Sequence, residues 1–300
     1  MATTKAASTK KATAKKPAAA KTTVRTVRAK ADAEVKTAPT AAAREKVSAL
    51  PNNIVNIVFA ELFGTFVLTL VALLTFKETA ALYVGLTVAV MVMAIGAVSG
   101  SHLNPAVTFG LFAMRKLKPI LVPFYWLAQL LGALLAMVVV NSWLTSTGIS
   151  SHIFDHFGNM NWSIFGVEVI GMAVFMFGLA AAVSRADFSP LTRALGVGFS
   201  LMVGLLVGGS LLASIQAAVD TSKITSVSEV PNVLRIKGAV LNPAVALAVN
   251  EATDSSFTGT RPAKAETQYS RFGLEVILGS LIGAALGGNL WLLVAGRRRS

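Results

Sequence analysis

Cysteine is absent from all 300 residues, which excludes disulfides and thiolate metal sites and leaves the redox compartment unread. Histidine occurs only at His102, His152 and His156, too few and too scattered for a metal motif, so neither a metal nor a cofactor is expected. Charge is scarce as well. Asp, Glu, Lys and Arg make up 14% of the chain, against about 25% in a soluble domain that must cover its surface. No nucleophile–base set or phosphate loop is present, so enzymatic activity is not expected.

What fills the chain is apolar. Hydrophobic residues make up 54% and the mean hydropathy is +0.66, which places the chain in a lipid bilayer. Apolar segments run over about 54–76, 80–99, 119–141, 162–184, 191–215 and 271–295, each long enough for a helix to cross a core about 30 Å thick. Residues 1–50 form a different domain. They hold twelve Lys and Arg against Asp32, Glu34 and Glu45, a net +9 out of +13 for the whole chain. With almost no large apolar side chain, this tail cannot offset its ordering entropy and is expected to be disordered. Two readings of it stay open: a solvated arm that helps set topology, or a segment that binds anionic lipid. Nucleic acid is a poor fit, because no aromatic or groove-reading motif accompanies the charge. Basic residues on one side (the tail, Arg115, Lys116, Lys118, Arg185, Arg193 and Arg297 to Arg299) predict that both termini are cytoplasmic.

The sequence Leu-Asn-Pro-Ala-Val occurs twice, at 103–107 and 241–245. Both copies lie outside the six spans, and each opens an apolar piece of about ten residues, too short to cross. An odd number of spans separates them, so the second copy is inserted upside down. The halves, about 54–141 and 162–295 within a domain of 51–300, share further marks: Ala-Glu-Leu-Phe-Gly-Thr-Phe around Glu61 matches the stretch around Glu168, and Gly64 aligns with Gly171. Inverted repeats of this kind place the functional site at the membrane midplane, where broken helices meet. An all-α membrane protein is predicted, with six transmembrane helices and two re-entrant half-helices.

Asn-Pro-Ala suits a helix start. Asparagine caps the first turn with its side-chain oxygen and keeps an NH2 donor; proline fits the first helical position; alanine lets two helix ends approach. Asn104, Pro105 and Ala106 would meet Asn242, Pro243 and Ala244 end to end and form one constriction. Glu61 and Glu168 are intramembrane carboxylates, read either as structural braces or as a proton relay. His102, just before the first copy, is either a loop-packing residue or a pore-side pH sensor.

With these motifs the chain resembles the aquaporin (major intrinsic protein) family over about residues 54–295. The resemblance implies a homotetramer in the cell membrane, with one pore per subunit that passes water or small neutral solutes and excludes protons. It also implies that Glu61 and Glu168 accept backbone N–H bonds from the re-entrant loops. The departures are specific. Members usually carry Arg directly after the second motif, where this chain has Val245; Ser280 stands where proline is frequent. The remaining filter positions fall on Val84, Leu205 and Ala239, so the implied outer filter is wholly apolar. Arg235 or Lys237, in the preceding loop, is the candidate to replace the missing cation. The permeant stays open among water, glycerol, urea, ammonia and dissolved gases. Competing readings are an inverted-repeat secondary transporter and a poorly conducting membrane scaffold.

Overall fold

A computed structural model describes residues 50–144, 151–154, 157, 160–259, 266 and 268–296. The predicted basic tail, Leu50 apart, and His156 and Arg297 to Arg299 lie outside the described residues. Among the described residues, six helices are long and apolar enough to cross a membrane: α1 (Ile54–Leu74), α2 (Ala80–Ser99), α4 (Val122–Leu144, led in by a 3-10 turn at Pro119–Leu121), α5 (Trp162–Ser184), α6 (Pro190–Ala217) and α10 (Leu274–Ala295). Two short helices, α3 (Pro105–Ala113) and α8 (Pro243–Ala248), follow the two Leu-Asn repeats. The fold is that of a multi-pass membrane protein with two half-helices. Two further short helices, α7 (Asn232–Arg235) and α9 (Ser255–Thr258), lie in the connections flanking α8.

The six long helices are apolar on every side, and side-chain size decides which side turns inward. Phe59, Phe63, Leu127, Leu131, Leu286 and Leu290 are exposed, whereas Gly64, Thr65, Ala128, Ala133, Gly279 and Gly283 are buried. Lipid solvates the bulky residues as well as a core would, so close helix packing by small residues governs the interior.

The packing repeats along the chain. α1 lies on α2 and α4; α5 lies on α6 and α10; α2 and α6 join the halves. Each half-helix crosses over, α3 onto α10 and α8 onto α4. Equivalent glycines permit the equivalent α1–α4 and α5–α10 contacts. A Cβ on Gly132 of α4 would lie 2.3 Å from the Leu62 carbonyl oxygen, and one on Gly283 of α10 would lie 2.5 Å from the Val169 carbonyl oxygen. Leu62 and Val169 directly follow Glu61 and Glu168, so the repeat extends to backbone contacts.

Three details differ from the sequence reading. α8 has six residues rather than about ten, and α10 begins at Leu274 rather than 271. Both follow from long-range pairing. The Val249 carbonyl accepts the Arg271 N–H at 2.8 Å, the Glu251 N–H donates to Tyr269 at 2.9 Å, and Asn250 bridges Ser270. The chain leaves each helix to make these bonds. The fold also includes a two-residue parallel strand pair, β1 (Ser151–His152) with β2 (Gln268–Tyr269). It fastens the connection before α5 to the one before α10.

Candidate functional site

The two Leu-Asn repeats meet inside the helix bundle. Leu103 and Leu241 adopt positive φ, +53° and +56°, a strained region for a side chain branched at Cγ. Asn104 and Asn242 are extended and cap the half-helices. Asn104 Oδ1 accepts the Ala106 N–H at 2.8 Å; Asn242 Oδ1 accepts from Ala244 at 3.0 Å and Val245 at 3.4 Å. Pro105 and Pro243 occupy the first helical positions. The free end of each amide then reaches across the symmetry. Asn104 Nδ2 donates to the Leu241 carbonyl at 2.8 Å, and Asn242 Nδ2 donates to the Leu103 carbonyl at 2.9 Å. One amide hydrogen per asparagine is used this way, leaving one each. The positive-φ leucines aim their carbonyls at the opposing asparagine, which accounts for the strain on both sides.

Two buried glutamates hold the loops in place. Glu61 accepts the His102 and Leu103 N–H groups at 2.9 and 2.7 Å, the Ser99 hydroxyl at 2.7 Å and Gln129 Nε2 at 2.8 Å. Glu168 accepts the Val240 and Leu241 N–H groups at 2.9 and 2.7 Å. Its further partner is not an amide but Arg271, whose Nη2 lies 3.5 Å from Oε1. Counting along the helices, Gln129 precedes Gly132 by three, and Ser280 precedes Gly283 by three. Serine is too short to play the glutamine's part, and its hydroxyl bonds Ile277 instead. The His102 ring stacks on Tyr125 at 4.4 Å, and its Nδ1 lies 3.1 Å from the Thr108 hydroxyl, in the packing under α3.

Val84, Leu205 and Ala239 pack against one apolar cluster, of which Val245 is a buried member. Arg235 is occupied elsewhere. It donates to Asp254 at 2.8 Å and to the Val227 carbonyl at 2.7 Å, with its guanidinium 5.5 Å from the Phe257 ring centroid. Lys237 is exposed. The buried cation at this loop is Arg271, which sequence reasoning missed; its Nη1 donates to the Gly238 carbonyl at 2.8 Å. Burial pulls its pKa below the ordinary value, and the nearby Glu168, Glu251 and Glu275 oppose that pull. Gln216 of α6 adds bonds to the Val233 and Ile236 carbonyls at 2.8 and 2.9 Å. Farther out, the Thr225 N–H and hydroxyl bond the Glu229 carboxylate and hold it below the usual range.

The model for the major intrinsic protein family matches residues 54–225, more than half of the chain. The chain belongs to the major intrinsic protein family. Among members of that family it is 33% identical to aquaporin TIP2-1 of Zea mays over 134 residues, 45% of this chain and 49% of that protein. It is 31% identical to glycerol uptake facilitator protein-like 6 of Lactiplantibacillus plantarum over 168 residues, 51% of this chain and 77% of that protein. The chain spans about half the length of the plant members it matches. The X-ray structure of the aquaglyceroporin from Plasmodium falciparum shares the fold with a TM-score of 0.50 at 19% identity, covering 79% of this chain and 95% of that one.

Proposed function

We propose that this major intrinsic protein is a passive channel for water and small neutral solutes, constricted where Asn104 and Asn242 meet. The observation that carries the reading is the reciprocal pair of bonds between each asparagine amide and the opposing leucine carbonyl. Two capped helix starts are thereby held nose to nose, with one amide hydrogen left on each. A solute in single file would exchange its hydrogen bonds with these donors. Positive helix ends at the same point, an effect confined to the first turn, disfavour cations. The names of the relatives, an aquaporin and a glycerol uptake facilitator, support this class of permeant.

The outer opening in this reading is formed by Val84, Leu205, Ala239 and Val245. None carries a donor, so the opening is less polar than one closed by arginine, and relatively apolar neutral solutes pass well beside water. Glu61 and Glu168 act as braces rather than proton carriers, because backbone N–H groups occupy them. His102 acts in packing. The working unit is a homotetramer in the cell membrane with both termini cytoplasmic.

Stopped-flow swelling of vesicles containing the full chain tests the reading. Water and glycerol flux should both exceed those of empty vesicles, without saturation and without an ion gradient. Val245→Arg should slow glycerol more than water, by about tenfold against less than about threefold. Saturable uptake driven by an ion gradient would replace the channel with a transporter. No flux of any solute would leave a scaffold.

A further inference from the structure

Arg271 has no counterpart in the first repeat, where the neutral Gln129 serves the glutamate. It sits on a stretch fixed from both sides. Its own N–H bonds Val249, the Ser270 N–H donates to His152 at 3.1 Å, and the Phe272 ring lies 5.8 Å from that of Phe157. From this anchored backbone the side chain runs inward and is 4% exposed. One end of its planar fork holds the Gly238 carbonyl, and the other lies beside Glu168.

Glu168 in turn holds the N–H groups of Val240 and Leu241. The loop is therefore gripped on both sides of Ala239, by a carbonyl before it and N–H groups after it. Ala239 is pressed against α6 at Gly208, where an added Cβ would come within 2.6 Å of the alanine Cβ. Ala239 is one of the four side chains assigned to the outer opening. Arg271 also faces three buried carboxylates, Glu168, Glu251 and Glu275. A bare positive field at the mouth is therefore not what it supplies. A guanidinium holds two acceptors in one plane, a geometry that lysine's point charge does not reproduce.

We propose that Arg271 is a specificity-determining positioning residue of the outer opening, clamping Gly238 to Glu168 so that Ala239 keeps the opening narrow. The proposal rests on the channel reading above, and its test separates the two. Because the chain has no cysteine, Val240→Cys places a single thiol in the gripped loop. The full chain with this reporter is placed in vesicles, with a small water-soluble thiol reagent on both sides. Arg271→Gln should raise the rate of modification roughly tenfold or more, since a loosened loop opens more often. The glycerol-to-water permeability ratio should rise about threefold or more as the opening widens. Arg271→Lys, which keeps the charge, should shift both in the same direction by less. If Arg271→Gln does not fold, the lysine variant decides alone. Modification rates within about twofold of the parent in every variant that folds would overturn the proposal, because local opening sets that rate. A faster thiol with an unchanged permeability ratio would also overturn it, since the loop would then be held without setting the opening. A parent chain that passes neither water nor glycerol removes the channel reading and the selectivity half of the proposal, while the thiol rates still decide whether Arg271 positions the loop.

Discussion

A single asparagine amide does two separable jobs here. Asn104 Oδ1 caps α3, and Nδ2 satisfies a carbonyl that the positive φ of Leu241 has turned inward. Asn104→Asp, when ionised, keeps the first job and loses the second. The Leu241 carbonyl then has no donor from that side chain, and thermal unfolding in detergent should show a loss of about 1–3 kcal/mol, the usual cost of an unmet buried polar group. Asn104→Ala should lose about 1 kcal/mol more with the cap. The corresponding changes at Asn242 should behave alike, because its bonds are the mirror set. At this scale the cap was legible, because Asn-Pro carries its own local geometry. The cross-bond was not, because its partner lies 137 residues away. Arg271 was invisible for a related reason. In sequence it is one basic residue at the edge of an apolar run, and only the fold brings Gly238 and Glu168 to it.

The six long helices read directly from composition, since lipid demands long apolar runs and few other chains contain them. Their ends and the half-helices read less well. α8 stops at Ala248 because Val249 to Glu251 pair with residues 269–271, and no local signal announces that pairing. Helix contacts were legible only in part. Gly132 and Gly283 align in the repeat, but the carbonyls they touch appear only in the fold. Gly132→Ala and Gly283→Ala should each destabilise by about 1–3 kcal/mol, because backbone cannot yield to an added methyl as a flexible side chain can. Gly209→Ala, on α6 with no atom within 4 Å of the added Cβ, should instead be neutral or gain about 0.5–1 kcal/mol from helix propensity. Thermal unfolding of the three variants side by side separates close approach from propensity.

Over the whole molecule, the proposed orientation rests on charge asymmetry. With the basic tail cytoplasmic, protease added to intact cells should leave residues 1–50 uncut, and their cleavage would reverse the assignment. The reciprocal latch also has a meaning in time. The chain is made from its N-terminus, so Asn104 enters the membrane long before Leu241 exists. At about 5–20 residues per second, the 137 positions from Asn104 to Leu241 take roughly 7–27 s to synthesise. Through that interval the first half-helix carries an amide without its acceptor, and the Leu103 carbonyl waits for Asn242. Neither repeat can satisfy its own loop, so the second repeat completes the first. The nascent first half therefore carries polar groups whose partners, in the finished fold, come only from the second repeat.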